Sequence, residues 1–325
     1  MSYVRRWVLS AGAALALMIG FAGAGATAHA APNPAGTTSA TARLSDGQAV
    51  DSAAALKKVA DYWTPERMRH ATPVPEQTPG PLTKALPTRP SGPRGSTPPA
   101  KPAASGSVSP MITESAVAGK VFFHKPSGGD WVCSASALNS DSKQLVITAG
   151  HCVHEGAGGN WMQNWTFVPR YRSGARPFGT FAAKEFRTFN SWISSSDLSR
   201  DVGMVTTWPL NGNKLVNVVG GHGLNWNWGN SVAITILGYP ANANNGEIQQ
   251  WCQGTTSDGG GGTIKLQCNF NGGSSGSGWL MNFNDSTGLG QVDGVMSTLD
   301  STGWNRASYF DDAVKAMFDA QGGVT

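Results

Sequence analysis

The main body of this 325-residue chain has few charges and no basic run. Residues 111–325 carry 13 Lys and Arg against 15 Asp and Glu, a net charge of −2, whereas residues 1–110 carry a net charge of +6. A nucleic-acid-binding surface needs clustered cations, so the body offers no electrostatic case for a nucleic-acid partner. The overall net charge of +4 belongs to the leading segment.

Cysteine is also scarce, and its spacing fits no common zinc motif. No C-x-x-C pair occurs, which argues against a structural zinc site. Four cysteines allow three disulfide pairings. The sequence-local set is the simplest of the three, and each of its bridges would contribute about 3 kcal/mol in the chain-entropy model. That set is Cys133–Cys152 and Cys252–Cys268.

A long apolar run lies at the N-terminus. Arg5 and Arg6 precede it, and Ala28-His29-Ala30 ends it with a small-x-small cleavage site. This order predicts a signal peptide over residues 1–30, and therefore a secreted, extracellular protein in an oxidising compartment. An uncleaved membrane anchor is the alternative. The choice between Sec and Tat export stays open.

Proline divides the leading segment from the body. Residues 73–110 contain 11 of the 19 prolines, which predicts a linker without helix or sheet. Before it, residues 50–62 have the pattern of a helix, and Thr64 then caps a second turn that begins at Pro65. A small helical segment tethered by a linker in an exported chain indicates a pro-region over residues 31–110.

The body lacks any alternation of strand and helix patterns, so a parallel sheet is not expected. Short apolar or alternating runs punctuated by Gly, Asn, Asp and Pro predict an all-β fold. The C-terminal spacing of Phe310, Val314 and Met317 predicts a closing helix. The predicted strands are 120–124, 131–137, 144–149, 165–169, 202–206, 232–237, 263–267 and 294–299.

Histidine is absent after His222, and this excludes one type of serine hydrolase. Residues 272–276 match G-x-S-x-G, but that motif requires a histidine after the serine. The H-x-x-H-E order at 151–155 is also not the H-E-x-x-H of zinc proteases. No aspartate before His151 has a context that suits the subtilisin order. The order His, Asp, Ser remains.

Three sites fit that order. His151 follows an apolar strand, Asp201 heads an alternating strand, and the serines of 271–279 are flanked by glycines. A serine nucleophile needs a base, a carboxylate that orients the base, and backbone N–H groups near the reacting carbonyl. Glycine permits this close backbone approach. Asp197 is the alternative carboxylate, although it precedes a polar turn.

The motifs around these residues resemble those of a known family. TAGHC at 148–152, DVGMV at 201–205 and GSSGS at 273–277 resemble the histidine, aspartate and serine motifs of trypsin-like (chymotrypsin-fold) serine proteases. GVMST at 294–298 is similar to their substrate-binding strand. Cys133 is similar to the partner of Cys152 in the disulfide that pins the histidine loop. Secreted bacterial members related to glutamyl endopeptidases are the most similar.

The resemblance implies two antiparallel six-stranded β-barrels with a C-terminal helix over residues 111–325. It implies a secreted endopeptidase in which Ser275 is the nucleophile, His151 the base and Asp201 its orienter, with the N–H groups of Gly273 and Ser275 at the oxyanion. We expect protein or peptide substrates, the pro-region as an internal partner, a monomer, and no cofactor, metal, nucleic acid or membrane partner after signal cleavage. A catalytically inactive homologue acting as an extracellular binding module is the alternative.

Specificity is the least constrained expectation. By the family's register, Asn269 lies at the floor of the primary pocket, and Met296 and Ser297 lie beside it. None of these side chains carries a charge that could pair with a charged side chain of the substrate. We therefore expect a neutral, apolar substrate residue before the cut. Ser274 replaces the aspartate that pairs with a new N-terminus in animal enzymes, which argues against that activation mechanism.

Overall fold

The computed structural model describes Met1 and residues 36–79, 92–103 and 114–325. The predicted signal peptide, apart from Met1, lies outside the described residues. Asn33–Thr325 forms one unit of the chain. In the part of the chain described, no helix is both long and apolar enough to cross a membrane.

The described residues are mostly β-strand. The strands are β1 Thr37–Thr41, β2 Thr72–Pro73, β3 Gly95–Ser96, β4 Ala118–His124, β5 Asp130–Leu138, β6 Leu145–Thr148, β7 Gln163–Pro169, β8 Phe181–Phe189, β9 Gly203–Thr207, β10 Gly223–Trp226, β11 Ala233–Gly238, β12 Gln250–Thr255, β13 Ser257–Gly260, β14 Thr263–Gln267, β15 Gly278–Asn284, β16 Leu289–Leu299 and β17 Trp304–Ser308. The helices are α1 Ala53–Tyr62, α2 Pro65–His70, α3 Asn190–Ser195, α4 Leu215–Val219 and α5 Asp312–Gly322.

The first barrel is closed. Its strands follow the order β8-β7-β4-β5-β6-β9, and β9 pairs back onto β8, so six antiparallel strands complete the ring. β4 is buried along nearly its whole length. One reason is that Trp63, which follows α1, covers part of it, since the centroid of its ring lies 5.5 Å from that of Phe122. The predicted all-β barrel is confirmed here.

The second sheet follows the order β12-β11-β15-β16-β17-β14-β13 and forms a half-barrel. Its core contains Ile236, Trp279, Met296 and Ala307, all fully buried. β10 pairs in parallel with β16. The chymotrypsin-like fold class predicted from the sequence is therefore confirmed, with the second barrel more open than the first.

Both N-terminal helices begin at a side-chain cap. Ser52 caps α1, which begins at Ala53, three residues after the start predicted at residue 50. Thr64 caps α2, whose first residue is Pro65, as predicted. At the C-terminus, the carboxylate of Asp311 accepts from two backbone N–H groups of α5. That helix buries Val314 and its neighbours against the apolar core.

The prediction that residues 73–110 form no sheet is wrong at two places. Pro73 belongs to β2, which pairs in parallel with β5, and Gly95–Ser96 pairs with β10. Thr97 N also donates to Leu224 O at 2.7 Å. Both strands lie at sheet edges, where a proline need not donate to a neighbouring strand.

Candidate active site

His151 and Asp201 are brought together by the pairing of β6 with β9, which sets Thr148 opposite Gly203. The 3-10 turn Gly150–Cys152 follows β6, and Asp201 lies two residues before β9. Nδ1 of His151 is 2.7 Å from Oδ2 of Asp201, and the backbone N–H of His151 donates to Oδ1 at 2.7 Å. A side chain at Gly150 would place its Cβ 2.9 Å from Oδ1, so glycine permits this approach.

The pair is shielded from solvent. His151 retains 4% of its surface and Asp201 none. Burial lowers the pKa of His151, but attraction to Asp201, the hydrogen bond to its carboxylate and the charge of Glu76 together raise the pKa above its ordinary value. A base held in one orientation by a buried carboxylate is the arrangement that general-base catalysis requires.

The glycine- and serine-rich stretch at 271–279 is a fixed turn, although its composition is that of a flexible linker. Gly273 and Gly276 have φ values of +88° and +82°. A Cβ at Gly276 would lie 2.1 Å from Thr148 Oγ1, so no other residue fits without displacement. The carbonyl of Ser275 accepts from Ser134 N at 2.8 Å. These contacts hold Ser275, which is fully buried, between the two glycines.

Both sequence-local disulfides are present. Cys133–Cys152 ties β5 to the turn that carries His151, and Cys252–Cys268 ties β12 to the segment after β14. The sulfur atoms of Cys133 and Cys152 lie near a nitrogen of His151. Because both sulfurs are in a disulfide, they offer no thiolate for a metal ion.

Ser275 is hydrogen-bonded to a residue that the sequence did not single out. Its Oγ donates to Oε2 of Glu76 at 3.2 Å, and Oγ of Ser274 donates to Oε1 at 2.8 Å. Nε2 of His151 has no hydrogen-bond partner among the described residues. Glu76 lies 199 residues before Ser275 in the chain, and no local pattern in its proline-rich surroundings indicates this contact.

The remaining site candidates have diverse positions. Asn269 lies in an exposed turn, where its N–H donates to Gly303 O at 3.0 Å, and Met296 is in the core. Ser297 Oγ donates to Asp201 Oδ2 at 2.6 Å, so it contacts the carboxylate of the pair. The alternative carboxylate, Asp197, caps the 3-10 turn Leu198–Arg200 by accepting from Ser199 N.

His154, the other histidine of the H-x-x-H pattern, has a structural environment. Its Nδ1 accepts from Gly156 N at 3.0 Å, and its ring packs edge-on against Trp161. Burial lowers its pKa. A neutral histidine with these contacts supports the loop after His151.

Comparison with known proteins gives the family. No family model and no curated protein matches the chain. Among solved structures, it is similar to the protease Anisep from Arthrobacter nicotinovorans, at 30% identity and a TM-score of 0.61, over 65% of this chain and 98% of that one. It is similarly related to the thermostable serine protease AL20 from an extremophilic microorganism, at 29% identity and a TM-score of 0.61, over 65% and 99%.

A structure of a Glu endopeptidase shares the fold, at 18% identity and a TM-score of 0.51, over 69% of this chain and 97% of that one. The matches cover nearly the whole of the known enzymes and about two thirds of this chain. The chain therefore belongs to the trypsin-like, chymotrypsin-fold serine proteases, in their bacterial branch.

Proposed function

We propose that the chain is the precursor of a secreted serine endopeptidase, in which residues 111–325 are the enzyme and residues 31–110 the pro-region. One observation carries the proposal: the 2.7 Å contact of His151 with Asp201, both buried, beside a serine held in a glycine-bounded turn. A base, its orienting carboxylate and a nucleophile at one site are what acyl transfer by serine needs. The membership in a serine protease family supports the same chemistry.

In the proposed reaction, Ser275 Oγ attacks the carbonyl carbon of the scissile peptide while His151 Nε2 takes the hydroxyl proton. Asp201 keeps Nδ1 protonated and Nε2 free to accept. The tetrahedral oxyanion is bound by the N–H groups of Gly273 and Ser275. His151 then gives the proton to the leaving amine, and water releases the acyl group by the same steps.

The environment of His151 supports its use as a base. Its pKa is above the ordinary value partly because Glu76 lies nearby. Removal of Glu76 from the site takes away one of the charges that raise this pKa. Departure of the segment also exposes His151 to water, which removes part of the burial that lowers this pKa, so the two changes oppose each other.

Two further parts of the proposal concern location and substrate. The disulfides suit an oxidising, extracellular compartment. For the substrate, we propose protein or peptide chains with a neutral, apolar residue before the cut, because the candidate residues Asn269, Met296 and Ser297 carry no charge. A peptide library read by mass spectrometry checks this preference, and dominant cleavage after Arg, Lys or Glu contradicts it.

The test of the function is hydrolysis of a denatured protein by purified enzyme and its variants. Ser275→Ala should lower turnover by about four orders of magnitude or more, because a triad serine is removed. Ser277→Ala is the matched control, since it removes a neighbouring buried hydroxyl that donates to Ser274 O at 2.6 Å. Equal activity in Ser275→Ala and wild type overturns the assignment.

A further inference from the structure

Residues 72–79 of the pro-region run through the cleft between the two barrels. On one side, Val74 N donates to Val132 O at 3.0 Å. On the other side, Gln77 pairs in parallel with Thr298 of β16, and Leu299 N donates to Gln77 O at 3.2 Å. The segment therefore bonds to a strand of each barrel, on both sides of Ser275.

The contacts of this segment take up the groups that the reaction needs. Glu76 accepts a hydrogen bond from the hydroxyl of Ser275, so the hydroxyl hydrogen points away from Nε2 of His151. The N–H of Gly273, a donor for the oxyanion, instead donates to Val74 O at 3.0 Å. The nucleophile and one oxyanion donor are both engaged by the pro-region.

The segment presents a poor substrate to the serine. The group bonded to Ser275 is a side-chain carboxylate, which has no leaving amine to expel. The main-chain carbonyl at Gly273 is that of Val74, and its peptide bond joins a proline, Pro75. The nitrogen of this tertiary amide has no hydrogen and is part of the proline ring. The ring hinders a close approach of the serine to that bond.

The preceding residues fix the segment in place. β1 pairs with β8 over five residues, Trp63 is fully buried, and its indole N–H donates to Asn164 O. Met68, in α2, is also fully buried. These contacts anchor residues 37–71 on the first barrel, so residues 72–79 enter the cleft with little freedom left to lose.

We propose that the pro-region is a built-in inhibitor, which docks residues 37–71 on the first barrel and thereby delivers Glu76 to Ser275. The inference rests on the proposed function, because it assigns an inhibitory site within the catalytic cleft. Cleavage of the linker alone would not activate the enzyme; residues 72–79 must also leave the cleft.

The surroundings of Glu76 support this reading. The residue as a whole keeps part of its surface, but its carboxylate is enclosed by Ser274, Ser275 and His151. Burial raises the pKa of Glu76 to about 8, although the charge of His151 and both serine hydrogen bonds oppose the rise. An enclosed carboxylate with two hydroxyl donors forms a specific contact, unlike an exposed acidic side chain.

The test measures how fast a fluorophosphonate probe labels the full-length precursor, resolved by intact mass from the processed enzyme that has lost residues 36–79. We expect the wild-type precursor to label at least about tenfold more slowly than the processed enzyme. Glu76→Ala should raise the precursor's rate by about tenfold, the scale of a buried hydrogen bond whose partner is removed. Glu66→Ala, an exposed carboxylate of α2, is the matched control and should label as slowly as wild type.

The outcomes separate two failures. If the processed enzyme does not label, the proposed function is wrong. If the processed enzyme labels and the wild-type precursor labels at the same rate, the inhibitor proposal is wrong, and this comparison needs no variant. If Glu76→Ala precursor keeps the slow wild-type rate, Glu76 is not the group that blocks Ser275.

Discussion

Ser297 Oγ donates a 2.6 Å hydrogen bond to Oδ2 of Asp201, the same oxygen that contacts His151 Nδ1. The backbone N–H of His151 donates to the other oxygen. The carboxylate therefore has three donors and one orientation, although it is fully buried. This bond fits a positioning role for Ser297 at the His–Asp pair, and its contact with substrate stays a prediction.

The first prediction concerns that bond. Ser297→Ala should lower kcat/KM by roughly tenfold, since hydrogen bonds to charged groups contribute about 1.5–3 kcal/mol. With one donor lost, Asp201 attracts the proton on His151 more strongly, so the acidic limb of the pH–rate profile should move to higher pH. Ser308→Ala removes a buried hydroxyl that donates to Leu198 O at 3.1 Å; it is the control and should leave the profile unmoved. An unshifted limb in Ser297→Ala contradicts the positioning role.

The second prediction concerns the turn around Ser275. Gly276→Ala combines a positive φ with a Cβ only 2.1 Å from Thr148 Oγ1. The substitution should therefore lower the free energy of unfolding by at least about 3 kcal/mol. Gly212→Ala has a similar φ, +78°, but nothing within 4 Å of the added Cβ. The free energy of unfolding of Gly212→Ala should fall by only about 1 kcal/mol. Denaturant unfolding of both variants separates steric overlap from backbone strain, and equal losses would rule out the overlap.

The third prediction separates the two disulfides. Replacing Cys252 and Cys268 by serine should cost about 3 kcal/mol of stability at constant kcat, because neither cysteine adjoins His151 in the chain. Replacing Cys133 and Cys152 should cost a similar amount and also lower kcat, because Cys152 adjoins His151. Thermal unfolding and steady-state kinetics measure the two effects. Unchanged kcat in the second variant would show that the bridge does not help to position His151.

The fourth prediction is a pH dependence of the inhibited precursor. The docked pKa of Glu76, about 8, exceeds the ordinary value of 4.5. Docking is therefore strongest below pH 4.5, weakens as the pH rises, and loses this contribution above pH 8. The charged or titratable groups that face Glu76 or line the adjoining cavity are His151, Asp201, Lys125 and Glu155.

Glu76→Gln provides the reference, because it keeps the shape of the side chain and does not titrate. The labelling rate of the wild-type precursor, divided by that of Glu76→Gln, should rise by about tenfold between pH 5 and pH 9. Titration of His151 affects both proteins, so most of its contribution cancels in the ratio. A ratio that stays flat across this range contradicts the assignment of the pH dependence to Glu76.

Much of the fold was predictable from local pattern. The strand predicted over 263–267 has its observed bounds, and the strands predicted at β4, β5 and β11 differ from the observed ones by at most two residues at either end. β8 was missed. Its Lys184, Glu185 and Arg187 interrupt the apolar signal, and a bulge at Ala183/Glu185 shifts the alternation.

The site was predictable only in part. The positions of His151, Asp201 and Ser275 follow from short motifs in one order, and the structure brings His151 and Asp201 together as that order suggests. The contact of Glu76 with Ser275 joins residues 199 apart. It depends on how α1 and α2 dock on the first barrel, and the proline-rich sequence around Glu76 has the composition of a linker. No local pattern carries that information.

The most direct test of the central claim is the location of a fluorophosphonate adduct on the enzyme freed of residues 36–79. Peptide mapping by mass spectrometry should find one phosphonyl group on Ser275, and none after replacement of His151 by alanine, because the base activates the serine. An adduct on Ser274 or Ser277, or no adduct on the folded enzyme, would contradict the account.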